Sequence, residues 1–190
     1  ANSNPGKDKS IYLRGAGVDR TLITIDGMPV YDPSGIGGNF DIRNISVAVI
    51  ERIEILKGSQ STLYGSDAVA GVINIITKKG GDKPFGTTGS VSAGSYNSFR
   101  GNAGVSSKKN KIDYNGDYSY AKTKGINEAI TANNTFDKDG YTQQSMQAGI
   151  GIRPAANFRI APYIRFTSIK GDIDQGAFTD ELDYTYTQKS

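Results

Sequence analysis

The chain has 190 residues, a formal net charge of +3, and neither cysteine nor histidine. Those absences remove disulfides, zinc–thiolate sites, thiol chemistry, the usual general base and the usual transition-metal ligand. The charge is small and dispersed, which gives no support to nucleic-acid binding, and no apolar run is long enough for a spanning helix.

Hydrophobic residues make up 36% of the chain, low for a globular protein, while 24 glycines and 11 tyrosines are many. The length suits one domain or two small ones. The opening Ala1-Asn2-Ser3-Asn4-Pro5 is not a signal peptide and reads as the continuation of a longer chain.

Residues 10–14 (Ser-Ile-Tyr-Leu-Arg) and 21–25 (Thr-Leu-Ile-Thr-Ile) read as short strands, and Asp26-Gly27 as a tight turn. Residues 31–40 form a glycine-rich loop with neither of the phosphate-binding patterns, GxGxxG or GxxxxGK[ST]. Residues 41–44 predict one helical turn, 49–56 a strand carrying Glu51, Arg52 and Glu54, and 59–64 a short helix capped by Ser59. The paired carboxylates have no nucleophile or metal ligand nearby in sequence and read as structural charges. Ser59, Ser61 and Ser66 lack a histidine partner and a GxSxG elbow. No active site is legible, and the expectation is that this is not an enzyme. The β-branched run from Val72 to Ile76 reads as a buried strand closing one domain, and Lys78-Lys79-Gly80-Gly81-Asp82-Lys83-Pro84 as the way out of it.

Four segments carry a resemblance: Ile11-Tyr-Leu-Arg-Gly15, Leu22-Ile-Thr-Ile-Asp-Gly-Met-Pro-Val30, Ile50-Glu-Arg-Ile-Glu-Ile-Leu-Lys-Gly58 and Leu63-Tyr-Gly-Ser-Asp-Ala-Val-Ala-Gly-Val-Ile-Asn-Ile-Ile-Thr-Lys78. In order and wording they resemble the plug of TonB-dependent outer-membrane receptors. Where many family members have Arg-Gly, this chain has Lys57-Gly58, which keeps the charge and loses the planar fork. The resemblance implies that the N-terminal half of the plug, with the segment that engages TonB, lies outside this sequence.

From Pro84 onward the pattern changes to period two. Val91 and Ala93, then Ala103 and Val105, then Ile112, Tyr114, Tyr118 and Tyr120 alternate with small or polar residues. So do Met146, Ala148, Ile150 and Ile152, and Phe158, Ile160, Ile164 and Phe166, while Leu182, Tyr184 and Tyr186 begin a sixth strand. A one-sided soluble sheet has the same period. Turns at 107–110 and 154–157 are short, connections at 122–143 and 170–181 are long, and antiparallel parity puts each pair on its own edge. Short turns opposite long outer loops are the outer-membrane arrangement, and tyrosines near strand ends suit an interfacial girdle. Six strands cannot close around a plug; a 22-stranded wall needs on the order of 440 residues. The fold expected is therefore mainly β: a partial α+β plug at 1–79, a linker at 80–84, and about six antiparallel strands of a larger transmembrane barrel at 85–190. Such an excerpt, alone in water, is expected to be poorly soluble.

Acids gather in the two long connections: Glu128, Asp137 and Asp139 in the first, and Asp172, Asp174, Asp180, Glu181 and Asp183 around the second. Calcium takes six to eight oxygens, so converging carboxylates suit it, and solvated loop charge is the plainer reading. An EF-hand register fails, because with Gly140 at the sixth position the twelfth falls on Met146. Residues 120–125, 136–141 and the acidic segment after Lys170 are similar to the cobalamin receptors of the family. That likeness implies calcium held by Asp137, Asp139, Asp174 and Asp183, with Asn127-Glu128 where an aspartate is expected. The family topology also implies outward plug loops at 1–9 and 31–40. The residues offered there to substrate are Asn4, Lys7, Tyr31, Asp32, Ser34 and Asn39.

The resulting expectation is TonB-driven uptake of a scarce nutrient across the bacterial outer membrane, with cobalamin or another corrinoid as substrate. Siderophore-iron or glycan uptake is the alternative within the family, and a passive pore or adhesin the alternative outside it. An outer-membrane hydrolase is a further reading that the missing histidine weakens. Expected partners are TonB, the nutrient, outer-membrane lipid and a surface lipoprotein, with no nucleic acid; calcium is the one cofactor expected and no organic cofactor is.

Overall fold

A computed structural model describes residues 9–33, 38–79, 84–126, 138–172 and 185–190. The chain divides into two compact units, with the change between Lys78 and Lys79.

The first unit is built on a four-stranded sheet in the order β2-β1-β4-β3, from β1 (Thr21–Ile25), β2 (Met28–Pro29), β3 (Ile50–Lys57) and β4 (Gly71–Thr77). β1 runs parallel to β4, and β2 and β3 flank them antiparallel. Both central strands are rich in β-branched residues, as strands covered on two faces are. Every residue of β1 is buried. On one face Ile23, Ile25, Ile73 and Ile75 pack with Ile45 and Val49, which two 3-10 turns (Ile42–Asn44 and Val47–Val49) carry in. On the other Leu22 and Val72 pack with Ala68 and Leu56. Each fully buried isoleucine contributes roughly 1.5–3 kcal/mol, so this unit has a core of its own.

Local chemistry sets the connections. Asp26 and Gly27 both have positive φ, 52° and 84°, as a two-residue primed hairpin turn requires. Asp26 then accepts from the Thr77 hydroxyl (2.6 Å) and amide (3.0 Å), tying the turn to the end of β4. The helical turn expected at 41–44 is present, with the Asp41 carboxylate accepting from the Arg43 amide at 2.9 Å and pairing with its guanidinium. One expectation is corrected. Residues 10–14 form no strand, because β1 already has β2 and β4 on its two edges and the chain turns through Arg14 and Gly15 at positive φ. The short helix α1 spans Ser61–Tyr64, and the Gln60 carbonyl accepts from the Leu63 and Tyr64 amides.

The second unit is an antiparallel meander: β5 (Gly86–Gly94), β6 (Ser98–Lys109), β7 (Ile112–Thr123), β8 (Tyr141–Ala155), β10 (Tyr163–Asp172) and β11 (Thr185–Lys189). A short β9 (Phe158–Ile160) pairs with β8 ahead of β10. One continuous fifth strand is expected from the sequence; instead Ala161-Pro162 interrupts it. Proline has no N–H for the ladder, and the Pro162 carbonyl accepts from Ile150 instead. Tyr96 (φ 60°) and Asn97 (φ 52°) make the β5–β6 turn, and Asn110 (φ 54°) the β6–β7 turn. Both long connections, β7–β8 and β10–β11, leave from the same edge as Ser95–Ser98, as the parity of the sequence predicts.

Candidate functional site

The registers sort the side chains of the second unit onto two faces. One carries Ile112, Tyr114 and Tyr118 from β7, Met146, Ile150 and Ile152 from β8, and Phe158, Ile160, Ile164 and Phe166 from β9 and β10. All of these are substantially exposed, from 38% at Ile152 to 63% at Ile164. The other carries Asp113, Ser119, Ser145, Gln147 and Thr167, each less than 10% exposed. A soluble sheet hides its apolar face and wets its polar one. Here the assignment is inverted, and an apolar outside with a polar inside is what a lipid-facing barrel wall has. The apolar rows from Ile112 to Tyr120 span about 27 Å along the strand. A tilt of roughly 40° reduces that to about 20 Å, close to the height of an outer-membrane apolar band.

The polar face is cross-linked. The Asp113 carboxylate accepts from Arg153 Nη1 and Arg159 Nη2, both at 2.7 Å. Arg165 Nε donates to Gln147 at 3.0 Å, and the hydroxyls of Ser145 and Thr167 share a bond at 3.2 Å. Close approach at Gly151 makes room for this: a Cβ there would lie 2.5 Å from both Arg159 Nη2 and Asp113 Oδ2. Of the expected sixth strand, Leu182 and Tyr184 lie outside the described residues; Tyr186, placed by the sequence reading in the apolar alternation, lies over Gly171 on the polar face.

Of the proposed substrate residues, Tyr31, Asp32 and Asn39 are described; Asn4, Lys7 and Ser34 lie outside the described residues. The Asp32 amide donates to the Gly38 carbonyl at 3.1 Å, which closes the neck of the loop. Because β2 runs back against β1, that loop sits at the end of the sheet where β4 starts, together with 58–70. Asp67 therefore comes beside Tyr31, a neighbour that no sequence pattern announces. Loss of hydration, then the Asp67 charge and hydrogen bond, hold the Tyr31 phenol above its ordinary pKa. It is thus a neutral donor at physiological pH. This end of the sheet offers a phenol, carboxylates and backbone groups, which suits binding rather than bond-making.

A second polar line crosses the same unit. Thr24 donates to Asn74 Oδ1 (2.8 Å), Asn74 Nδ2 donates to Glu54 (3.2 Å), and Arg52 holds Glu54 and Glu51 at 2.8 Å each. Arg52 and then Asn74 lower the Glu54 pKa. These charges are paired with each other, as the sequence reading has it.

Of the expected calcium ligands only Asp139 is described; Asp137, Asp174 and Asp183 lie outside the described residues. Asp139 is buried, and its amide donates to the Ile126 carbonyl at 3.2 Å. Asp172 lies on the same edge, its amide donating to the Gly140 carbonyl. Among the described residues no three acids cluster as a metal site would need. The neighbouring cavity, about 490 Å³, is lined, among the described residues, by Lys122, Lys124, Lys138 and Lys170 together with Asp172.

Residues 1–72 match the family model of the TonB-dependent Receptor Plug Domain. The whole fold is similar to solved outer-membrane receptors. Against the siderophore receptor PiuA of Acinetobacter baumannii the TM-score is 0.66 at 21% identity, covering 92% of this chain and 22% of that one. Against the ferric-catecholate import receptor Fiu of E. coli K12 it is 0.66 at 22% identity, covering 87% and 22%. Against the pyoverdine receptor FpvA of Pseudomonas aeruginosa PAO1 it is 0.66 at 19% identity, covering 85% and 22%. The chain thus spans about a fifth of the length of each of these three structures. The match to the plug model falls on the first unit, and the later strands share the antiparallel fold of these structures.

Proposed function

We propose that this chain belongs to an outer-membrane receptor that takes up a ferric siderophore, with energy delivered through TonB. In this account the first unit stops the channel, the later strands are part of its wall, and the substrate is carried without being altered. The observation that carries the reading is the inverted sheet, polar where soluble sheets are apolar, directly following a segment that matches the plug family. The siderophore assignment draws on likeness to receptors described as siderophore, pyoverdine and ferric-catecholate receptors. Tyr31, Asp32, Asn39 and Asp67, together with Asn4, Lys7 and Ser34, are the plug residues we assign to substrate contact.

Cobalamin is the second reading, favoured by the wording of residues 120–125 and 136–141. It brings with it calcium at Asp137, Asp139, Asp174 and Asp183. A passive pore is disfavoured because it needs no plug.

Uptake assays on a strain deleted for the full-length gene decide between these. Restored import of a radiolabelled ferric siderophore, abolished when TonB is absent, is the result expected. Restored import of cobalamin alone would replace the substrate assignment, and TonB-independent import of either would overturn the transport mechanism.

A further inference from the structure

Two loops meet at the end of the first sheet where β4 starts, and they are attached to the core differently. The loop 58–70 prolongs the β3–β4 ladder: the Gly58 amide donates to the Ala70 carbonyl at 3.1 Å and the Gln60 amide to the Ala68 carbonyl at 2.9 Å. Ala68 is wholly buried with Leu22 and Val72, and the Ala70 amide donates to the Arg20 carbonyl at 2.8 Å. The backbone beside Asp67 is therefore part of the core. The loop 31–40 leaves the sheet after the Val30 amide has donated to the Ile23 carbonyl, and the described backbone bond across its neck is the one from Asp32 to Gly38. A neck so lightly tied takes its order from the side chains that hold it.

Tyr31 is where those side chains meet. Its ring lies along Gly38, where φ is +67° and an added Cβ would be 3.7 Å from Tyr31 Cδ1, so the ring touches both ends of the neck. Its phenol reaches the Asp67 carboxylate. Asp67 Oδ1 accepts from the Ser66 hydroxyl at 2.9 Å, which fixes the direction of that carboxylate. Asp67 is in none of the described ion pairs, and two neutral hydroxyls converge on it.

We infer that Asp67, oriented by Ser66, positions Tyr31 and with it the neck of the 31–40 loop, so that this substrate loop is set before substrate arrives. Ser66 is a positioning residue and not a substrate contact. The inference rests on the assignment of these loops to substrate in the transport reading. Its consequence is for affinity: a neck already ordered takes nothing from the binding energy to order it.

The test uses the full-length protein in detergent, with carbon-13 at tyrosine Cζ and the Tyr31 signal assigned by Tyr31→Phe. Among the described residues Asp67 is the one charge that bears on this phenol, and wild-type Tyr31 titrates above the ordinary tyrosine value. Asp67→Asn keeps an acceptor, removes the charge and brings the Tyr31 midpoint down towards that value; an Asp67 that only packed would leave it where it is. Exchange of the Asp32 amide accelerates about tenfold in Asp67→Ala and in Tyr31→Phe, and less in Ser66→Ala, while the amides of 22–25 keep their rates. Tyr31→Phe keeps the ring on Gly38, so it reads the hydroxyl alone even where Asp67→Ala fails to fold. The binding probes are a ferric catecholate siderophore and ferric pyoverdine. Whichever binds wild type binds Tyr31→Phe and Asp67→Ala about tenfold more weakly, and the double variant no more weakly than either. An unmoved Tyr31 midpoint in Asp67→Asn, an unchanged Asp32 rate, or additive losses would each overturn the inference. Responsive midpoint and exchange with neither probe bound removes the siderophore assignment alone; tight binding with an unresponsive phenol removes this inference alone.

Discussion

Replacing Asp113 loosens the wall at β7–β8 by an amount the structure lets one work out. Its carboxylate is almost wholly covered, and both of its oxygens accept charge-assisted bonds, from Arg153 and Arg159, at 2.7 Å. Removing one member of a buried ion pair costs about 3–5 kcal/mol, because the remaining charge is left uncompensated. Here the two guanidiniums are 38% and 32% exposed, so water recovers part of that, and about 2–3 kcal/mol remains. Asp113→Asn keeps the shape and removes the charge, and its amide N–H turns one acceptor into a donor facing a cation. In the full-length protein, hydrogen exchange at β7 and β8 amides should accelerate roughly 30- to 150-fold, with β5 unaffected. Arg153→Gln added to Asp113→Asn should cost less than the sum of the two, since the pair is already broken. An acceleration under about threefold, or strict additivity, would refute the reasoning.

Three further outcomes are expected. Gly71→Ala should destabilise the first unit by about 3 kcal/mol or more. Gly71 has φ +152°, and a Cβ there would press on the Leu56 carbonyl and lie 2.6 Å from Leu13 Cδ2; exchange at β3 and β4 is the readout. Because Glu54 has its folded-state pKa lowered below 4.5, its contribution is present above that value and is lost as pH falls through the lower folded-state pKa. The gap in β3–β4 stability between wild type and Arg52→Gln should therefore close on acidification, and a gap that stays constant with pH would contradict this. If the second, cobalamin reading holds, calorimetry of the full-length protein should show a calcium-specific heat that Asp137→Ala/Asp139→Ala abolishes, and no such heat would remove the calcium proposal.

Much of the wall could be read from residue order, because side chains in a strand alternate whatever the sheet does next. Ile112 through Tyr120 and Met146 through Ile152 show it without interruption. Pro162 was legible as a residue that cannot donate, and its cost to the fifth strand could have been foreseen; its neighbours' alternation concealed it. The first unit was harder. The run in β4 says that the strand is buried, yet nothing local says that it lies between β1 and β3 and parallel to the former. That arrangement comes from long-range pairing, which leaves no period behind. The same limit applies to the candidate sites. Tyr31 is visible as a loop residue, while Asp67 reaches it only through the β1–β4 register. Asp113 reads as one polar residue among several until Arg153 and Arg159 converge on it.

The central claim is that the apolar face from Ile112 to Tyr120 meets lipid while the face of Asp113 to Ser119 does not. Single cysteines introduced along β7 of the full-length protein, spin-labelled and reconstituted in bilayers, test it directly, since no native cysteine occurs in these 190 residues. The account predicts high oxygen accessibility at 112, 114, 116, 118 and 120, low at 113, 115, 117 and 119, and little access by a water-soluble relaxant at the apolar positions. Equal accessibility at neighbouring positions, or water access at the apolar ones, would contradict it.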